Sequence, residues 1–219
     1  MPKKKLLLHS CCGPCSTAVI ERLVESGEYD ITVFYYNPNI TDSEEYGLRK
    51  LEQIRFLNEF HGKTGIAIPF VQTEYDPQRF FEAAEGLEDC PEGGARCRKC
   101  FELRLRETAL AAKENGFDCF DTTLSVSPYK NYDVISEVGR ALAEELGIEY
   151  LAGNYKKKDG YKRSIELSKE YHLYRQHYCG CVFSMPPELA AWAKDPQSAS
   201  SLEDMSDEEF AFTGLEASF

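Results

Sequence analysis

One stretch constrains this chain more than any other: Leu6-Leu7-Leu8-His9-Ser10-Cys11-Cys12-Gly13-Pro14-Cys15-Ser16. The leucines read as a short buried strand, and Gly13 and Pro14 punctuate a turn where it stops. From Ser16 to Leu23 the apolar residues Ala18, Val19, Ile20 and Leu23 form one face of a helix. Strand, turn and helix therefore follow one another within a few residues, and Cys11, Cys12 and Cys15 are carried on the turn. Near a helix N-terminus, free N–H groups and the helix dipole favour negative charge and lower thiol pKa values. Buried core thiols are the plain alternative, but adjacent cysteines on a Gly-Pro turn pack poorly as a core.

The rest of the chain repeats the alternation. Asp30 to Tyr36 reads as a second strand, closed by the turn Asn37-Pro38-Asn39-Ile40. Glu44 to His61 has helical periodicity with Ser43 as a candidate cap, and Ile66 to Val71 reads as a third strand interrupted by Pro69. This pattern predicts an α/β fold, a Rossmann-like parallel sheet with helices on both faces. In such sheets the working site lies beyond the carboxyl ends of the strands, so the cysteine turn and the Asn37–Asn39 turn are expected at one edge.

Further on, Phe80 to Glu88 reads as a helix, and Cys90 to Cys100 as a glycine-containing loop. A helix is expected from about Cys97 to Asn115-Gly116, a strand at Cys119–Thr123, a helix at Val134–Leu146 and a strand at Ile148–Ala152. The basic stretch 154–163 reads either as a solvated loop or as a phosphate-contacting surface with Tyr155 and Tyr161 free to stack on bases. Another helix starts at Ser164. Residues 1–185 are expected to form a single α/β domain, and 186–219 an acidic tail, disordered over much of its length.

That tail holds eight acidic residues against one lysine, so more than half of the net charge of −12 lies there. An overall acidic balance therefore does not exclude an RNA substrate for the body of the chain. No apolar run approaches the ~20 residues of a membrane helix, and the leucine run after Lys3-Lys4-Lys5 is too short for a signal peptide. A cytoplasmic protein with no membrane partner is the expectation.

The nine cysteines fall into the groups Cys11/Cys12/Cys15, Cys90/Cys97/Cys100 and Cys179/Cys181, with Cys119 alone in a strand. In a reducing compartment, such clustering indicates metal binding or catalysis rather than disulfide staples. Cys97-Arg98-Lys99-Cys100 is a C-x-x-C at a helix start. Together with Cys11 and Cys12 it supplies four thiolates, enough for a [4Fe–4S] cluster or a zinc ion. The pattern favours iron, because adjacent cysteines are an uncommon half of a zinc site. Cys12-Gly13-Pro14-Cys15 is also a thioredoxin-like dithiol sequence, which opens the alternative of a dithiol–disulfide oxidoreductase. A zinc-bearing RNA-binding module is the third reading. Cys179-Gly180-Cys181 reads either as a redox pair, since a disulfide across one residue is strained and reducible, or as thiols in a buried turn.

Five motifs in order carry a family resemblance: His9-Ser10-Cys11-Cys12-Gly13-Pro14-Cys15, Tyr36-Asn37-Pro38-Asn39-Ile40, Gly93-Gly94-Ala95-Arg96-Cys97-Arg98-Lys99-Cys100, Thr122-Thr123-Leu124 with Ser127-Pro128-Tyr129-Lys130, and Tyr174-Arg175-Gln176-His177-Tyr178-Cys179-Gly180-Cys181. Together they resemble the QueH-type epoxyqueuosine reductases over about residues 5–184. The resemblance implies reduction of epoxyqueuosine to queuosine at the wobble position of tRNA anticodons, the last step of queuosine synthesis. The oxygen of the epoxide is removed and a cyclopentene remains. It implies an iron–sulfur centre, no cobalamin, and a fold similar to the PP-loop nucleotide-binding domains with the phosphate loop replaced by the cysteine turn.

By position, the resemblance makes Cys11, Cys12, Cys97 and Cys100 the ligands of a [4Fe–4S] cluster, and Cys179 and Cys181 a redox-active pair. Cys15 stands where the family can carry Asp beside an additional mononuclear iron, and whether it ligates a second iron is left open. Tyr36, Asn37, Lys130, Arg175 and Tyr178 are candidates to position the base or supply protons. The implied partners are the tRNA anticodon loop and an external electron donor.

Overall fold

The computed structural model describes residues 2–185. The expected acidic tail over 186–219 lies outside the described residues. Five strands form one parallel sheet: β1 (Lys4–His9), β2 (Tyr29–Tyr35), β3 (Phe70–Gln72), β4 (Cys119–Thr122) and β5 (Glu149–Tyr150), in the order β3-β2-β1-β4-β5. The helices are α1 (Gly13–Ser26), α2 (Ser43–Thr64), α3 (Gln78–Ala84), α4 (Ala95–Glu114), α5 (Tyr132–Leu146) and α6 (Gly160–Glu170). This is the strand order of a doubly wound nucleotide-binding sheet without its last strand. The expected α/β class with helices on both faces is what the chain adopts.

The leucine run explains why. Side chains alternate across a strand, so Leu6 and Leu8 point to one face and Leu7 to the other. Leu6 and Leu8 pack with Val19, Phe56, Phe60 and Leu167 from α1, α2 and α6. Leu7 packs with Phe101, Leu105, Ile135 and Leu142 from α4 and α5. All three leucines are fully buried. Truncating such a residue costs about 2–5 kcal/mol, so this short strand anchors both cores.

The boundaries differ from expectation in instructive places. Asp42, not Ser43, caps α2, its carboxylate accepting from the Glu45 amide at 2.8 Å. The third strand shrinks to Phe70–Gln72, because Pro69 has no N–H to give, although its carbonyl still accepts from Val33 at 2.8 Å. The helix expected over Phe80–Glu88 ends at Ala84, and β5 spans only Glu149–Tyr150. Tyr155 is not free to stack on bases: it is buried, and its hydroxyl donates to Asp121 Oδ2 at 2.7 Å. Tyr161 lies in the first turn of α6 and lines a cavity described below.

Asp121 sits at the heart of that arrangement. Its Oδ2 also accepts from the Gly153 amide at 3.1 Å, while Oδ1 has no partner. Burial pushes its pKa up to about 7, against the hydrogen bonds from Tyr155 and from the Thr122 and Gly153 amides, which pull it down. In the unfolded chain it titrates near ~4. The folded state therefore holds the extra proton, and the associated stability is complete below about pH 4 and lost as pH rises through about 7. Urea unfolding followed between those limits is expected to show a stability decline of on the order of 1 kcal/mol per pH unit that Asp121→Asn lacks.

Candidate metal centre

The sheet changes winding direction between β1 and β4, and the crevice beyond their carboxyl ends is where such folds bind their ligands. The cysteine turn emerges there. His9 joins the strand ends, with Nδ1 on Thr122 Oγ1 at 2.9 Å and Nε2 on the Tyr36 carbonyl at 3.1 Å. Burial lowers its pKa to about 3, so it is a neutral strut. Gln53 Oε1 accepts from Ser10 Oγ at 2.6 Å and from Ser16 Oγ at 2.8 Å, bracketing the turn from both sides. Asn37 Nδ2 donates to the Ser10 carbonyl at 2.9 Å. Gly13 is required sterically: a Cβ there would stand 2.9 Å from the Glu52 carbonyl oxygen of α2.

On this scaffold the ligand atoms of Cys11, Cys12 and Cys15 lie within 4.8 Å of one another, a group able to hold a metal. Cys11 Sγ is 3.8 Å from Cys12 Sγ and 3.8 Å from Thr123 Oγ1. Gln176 Nε2 donates to Cys12 Sγ at 3.0 Å. Hydrogen bonds from Cys12 and Cys15, and the Lys130 ammonium, hold the Cys11 thiol well below its ordinary pKa against the effect of burial. The protons stay on Cys12, pushed up to about 12 by its bond to Cys11, and on Cys15.

Cys97 and Cys100, on the first turns of α4, do not join that tight group, but Cys97 packs against the same apolar cluster as Cys11 and Cys12. The Gly93 amide donates to Cys97 Sγ at 3.2 Å. Cys97 and Cys100 line a small cavity of about 30 Å³ together with Cys179, Cys181, Arg104 and Lys130. A larger cavity of about 290 Å³ adjoins it, with Cys15, Tyr129, Lys130, Tyr161, Arg175 and Cys179 on its wall. Lys130 and Cys179 belong to both. The neighbouring Cys181 thiol, together with Lys130, Arg104 and Arg49, draws the Cys179 pKa well down despite burial, and the proximity of Cys179 raises that of Cys181.

The structure thus brings the thiol groups, Lys130 and Arg175 to one crevice. Tyr36 and Asn37 line neither cavity: Tyr36 is buried with its hydroxyl unpartnered and Arg79 over its ring at 5.6 Å, and Asn37 braces the turn. Tyr178 stacks beside Arg49 at 5.2 Å and also reaches the larger cavity. Sequence reasoning missed Arg49, Arg104 and Gln176. Arg104 was findable: it follows Cys97 by seven residues and Cys100 by four, hence the same helix face. Arg49, whose guanidinium donates to the Cys179 carbonyl at 3.0 Å and the Tyr178 carbonyl at 3.2 Å, comes from a distant helix and left no local signal.

The family model for epoxyqueuosine reductase QueH matches residues 6–186. This chain belongs to the QueH family. A relative named epoxyqueuosine reductase QueH from Acinetobacter baylyi is 45% identical over 182 residues, covering 83% of this chain and 80% of its own. One of that name from Staphylococcus epidermidis is 44% identical over 184 residues, covering 83% and 76%. A Thermotoga maritima relative with the same name is 34% identical over 180 residues, covering 82% and 90%. The thioredoxin-like alternative is not favoured within this family, and its first thiol, Cys12, is almost wholly buried. No helix among the described residues is long and apolar enough to cross a membrane.

The Cys179–Cys181 arc is held by a close approach. Gly180 has φ +113°, and a Cβ there would meet Ile40 Cγ1 at 2.9 Å and Arg49 Nη1 at 3.1 Å. Gly180→Ala is expected to cost about 1–3 kcal/mol, read as a lower urea midpoint at unchanged slope.

Proposed function

We propose that this chain reduces epoxyqueuosine to queuosine at the wobble position of tRNA, using a [4Fe–4S] centre held by Cys11, Cys12, Cys97 and Cys100. Family membership over residues 6–186, coupled to thiol clusters at the sheet's switch point, carries the reading. The donor set fits the group. Thiolates are the ligands of iron–sulfur clusters, and the buried Arg104 Nη2, which has no hydrogen-bond partner, suits an anionic neighbour. Thiolates on a cluster bind different irons, so Cys97 and Cys100 need not touch Cys11. Cys15 is the candidate ligand for an additional iron.

When bound, iron with an open coordination position supplies Lewis-acid and one-electron chemistry. The chain supplies the rest. The larger cavity receives the cyclopentyl ring of a base turned out of the anticodon loop, as single-stranded RNA loops permit. Tyr129, 79% exposed on the rim, offers a stacking face, and Arg175 and Tyr161 flank the entry. Lys130 stays protonated because the neighbouring sulfurs, Cys179 first, outweigh the effect of burial, and from the cavity wall its ammonium would stabilise the negative charge that an epoxide oxygen gains on opening. The overall change is epoxide plus two electrons plus two protons to alkene plus water. Oxidation of the Cys179 and Cys181 thiols to a disulfide releases that same complement, and an external reductant restores the pair.

Anaerobic purification followed by iron and sulfide analysis tests the centre, and mass spectrometry of epoxyqueuosine-containing tRNA tests the loss of one oxygen. Zinc in place of iron, or full activity without metal, would sink the reading. Cys97→Ser is expected to abolish iron binding and activity, whereas Cys90→Ser retains both; matching behaviour of the two variants would overturn the ligand assignment. Tyr129→Ala is expected to weaken tRNA turnover by about 1–3 kcal/mol through KM, with iron content unchanged.

A further inference from the structure

Arg104 is the largest fully buried side chain of the described residues, at 1% exposure. Its Nε donates to the Cys100 carbonyl at 3.3 Å, and its Nη2 is enclosed without a partner among the described residues. Among the described residues no carboxylate lies within ion-pair distance of it. A second cation, Lys130, lines the same small cavity, and among the described residues it too has no carboxylate within ion-pair distance. Glu92, at the cavity's edge, is exposed and pairs with neither. A buried guanidinium and a half-buried ammonium that share one cavity call for an anion to neutralise them. The other charge-bearing groups of that cavity are sulfurs: Cys97, Cys100, Cys179 and Cys181.

We infer that Arg104 is a positioning residue for the sulfur-ligated centre: its guanidinium, orphaned at Nη2 and lining the Cys97/Cys100 cavity, is the buried counter-charge and hydrogen-bond donor that holds the anionic cluster and raises its reduction potential. Arg104 reaches the Cys100 carbonyl and shares its cavity with the sulfurs of Cys97, Cys100 and Cys179. Arg49, which donates to the Cys179 carbonyl, and Lys130, which shares the cavity with Cys179, bring positive charge to the same place from other elements. Hydrogen bonds and net charge around a cluster set its potential. A donor aimed at sulfur favours the state with the added electron. The inference rests on the iron–sulfur reading above.

The test compares the full chain with Arg104→Met, both reconstituted anaerobically with iron and sulfide. Three quantities are measured: the midpoint potential by spectroelectrochemical titration, the rate of iron loss to a chelator, and the melting temperature of the iron-free protein. The variant is expected to show a more negative potential and several-fold faster iron loss. Without iron it is expected to melt no lower than the parent, because an uncompensated buried charge has been exchanged for an apolar side chain. Equal potential and equal iron retention would overturn the inference. So would a large drop in iron-free stability with an unchanged potential, which is the signature of a plain core residue. If Arg104→Met does not fold, Arg104→Gln carries the same readings, keeping an N–H for the Cys100 carbonyl. Failure of both neutral variants to fold without iron would assign the guanidinium to the fold and overturn the inference. A parent chain that takes up no iron defeats the metal-centre reading itself, a result distinct from all of these.

Discussion

The structure depends on β1 lying between β2 and β4, parallel to both. Its register runs Lys4–His9 against Tyr29–Phe34 on one side and Leu6–His9 against Cys119–Thr122 on the other. Parallel neighbours need crossovers, and crossovers are right-handed. The connection from β1 to β2 and the one from β3 to β4 therefore run over opposite faces of the sheet. Between them a crevice opens, and the residues that follow His9 and Thr122 line it. Cys11, Cys12 and Thr123 occupy those positions because strand pairing sets them there. His9 clamps the strand ends through Thr122 and the Tyr36 carbonyl.

The second constraint is electrostatic. Ionised thiols in a low-dielectric crevice need positive charge nearby, and positive charge in a crevice needs an anion. Arg49 from α2, Arg104 from α4 and Lys130 from the loop after the 3₁₀ turn at Thr123–Val126 meet the thiols from different sides. Arg49 is additionally paired with Glu45 at 2.6 Å and donates to the backbone of the Cys179 arc. The turn preceding α2 also holds the Cys179–Cys181 arc, the Thr41 amide donating to the Gly180 carbonyl at 3.1 Å. One guanidinium thus holds the Cys179–Cys181 arc while another faces the cysteines of α4.

The alternation of strands and helices was legible from apolar runs, and so was the strand–turn–helix that carries Cys11, Cys12 and Cys15. Element ends were less so. The cap of α2 moved from Ser43 to Asp42, one residue earlier, because either side chain can accept an amide proton and only the chain path decides which does. Tyr155 looked like a ready stacking surface within a basic stretch, yet it reaches inward to Asp121. No local pattern reports that a buried carboxylate thirty-four residues away needs a donor. Tyr36 and Asn37 drew attention beside a turn at the right sheet edge. Their side chains instead pack into and brace the wall behind the turn.

What the sequence determined alone was the inventory and its grouping: an α/β chain, three cysteine clusters, and a motif order shared with one enzyme family. These are properties of spacing and residue type, which a linear chain displays openly. Tertiary structure decided which groups share a space. It gathered Cys11, Cys12 and Cys15 tightly, set Cys97 and Cys100 across a small cavity with Cys179 and Cys181, and turned Arg49 and Arg104 inward. The physical reason is that charge compensation acts through space. A buried cation is satisfied by whatever anion the fold brings beside it, and that partner has no fixed distance along the chain.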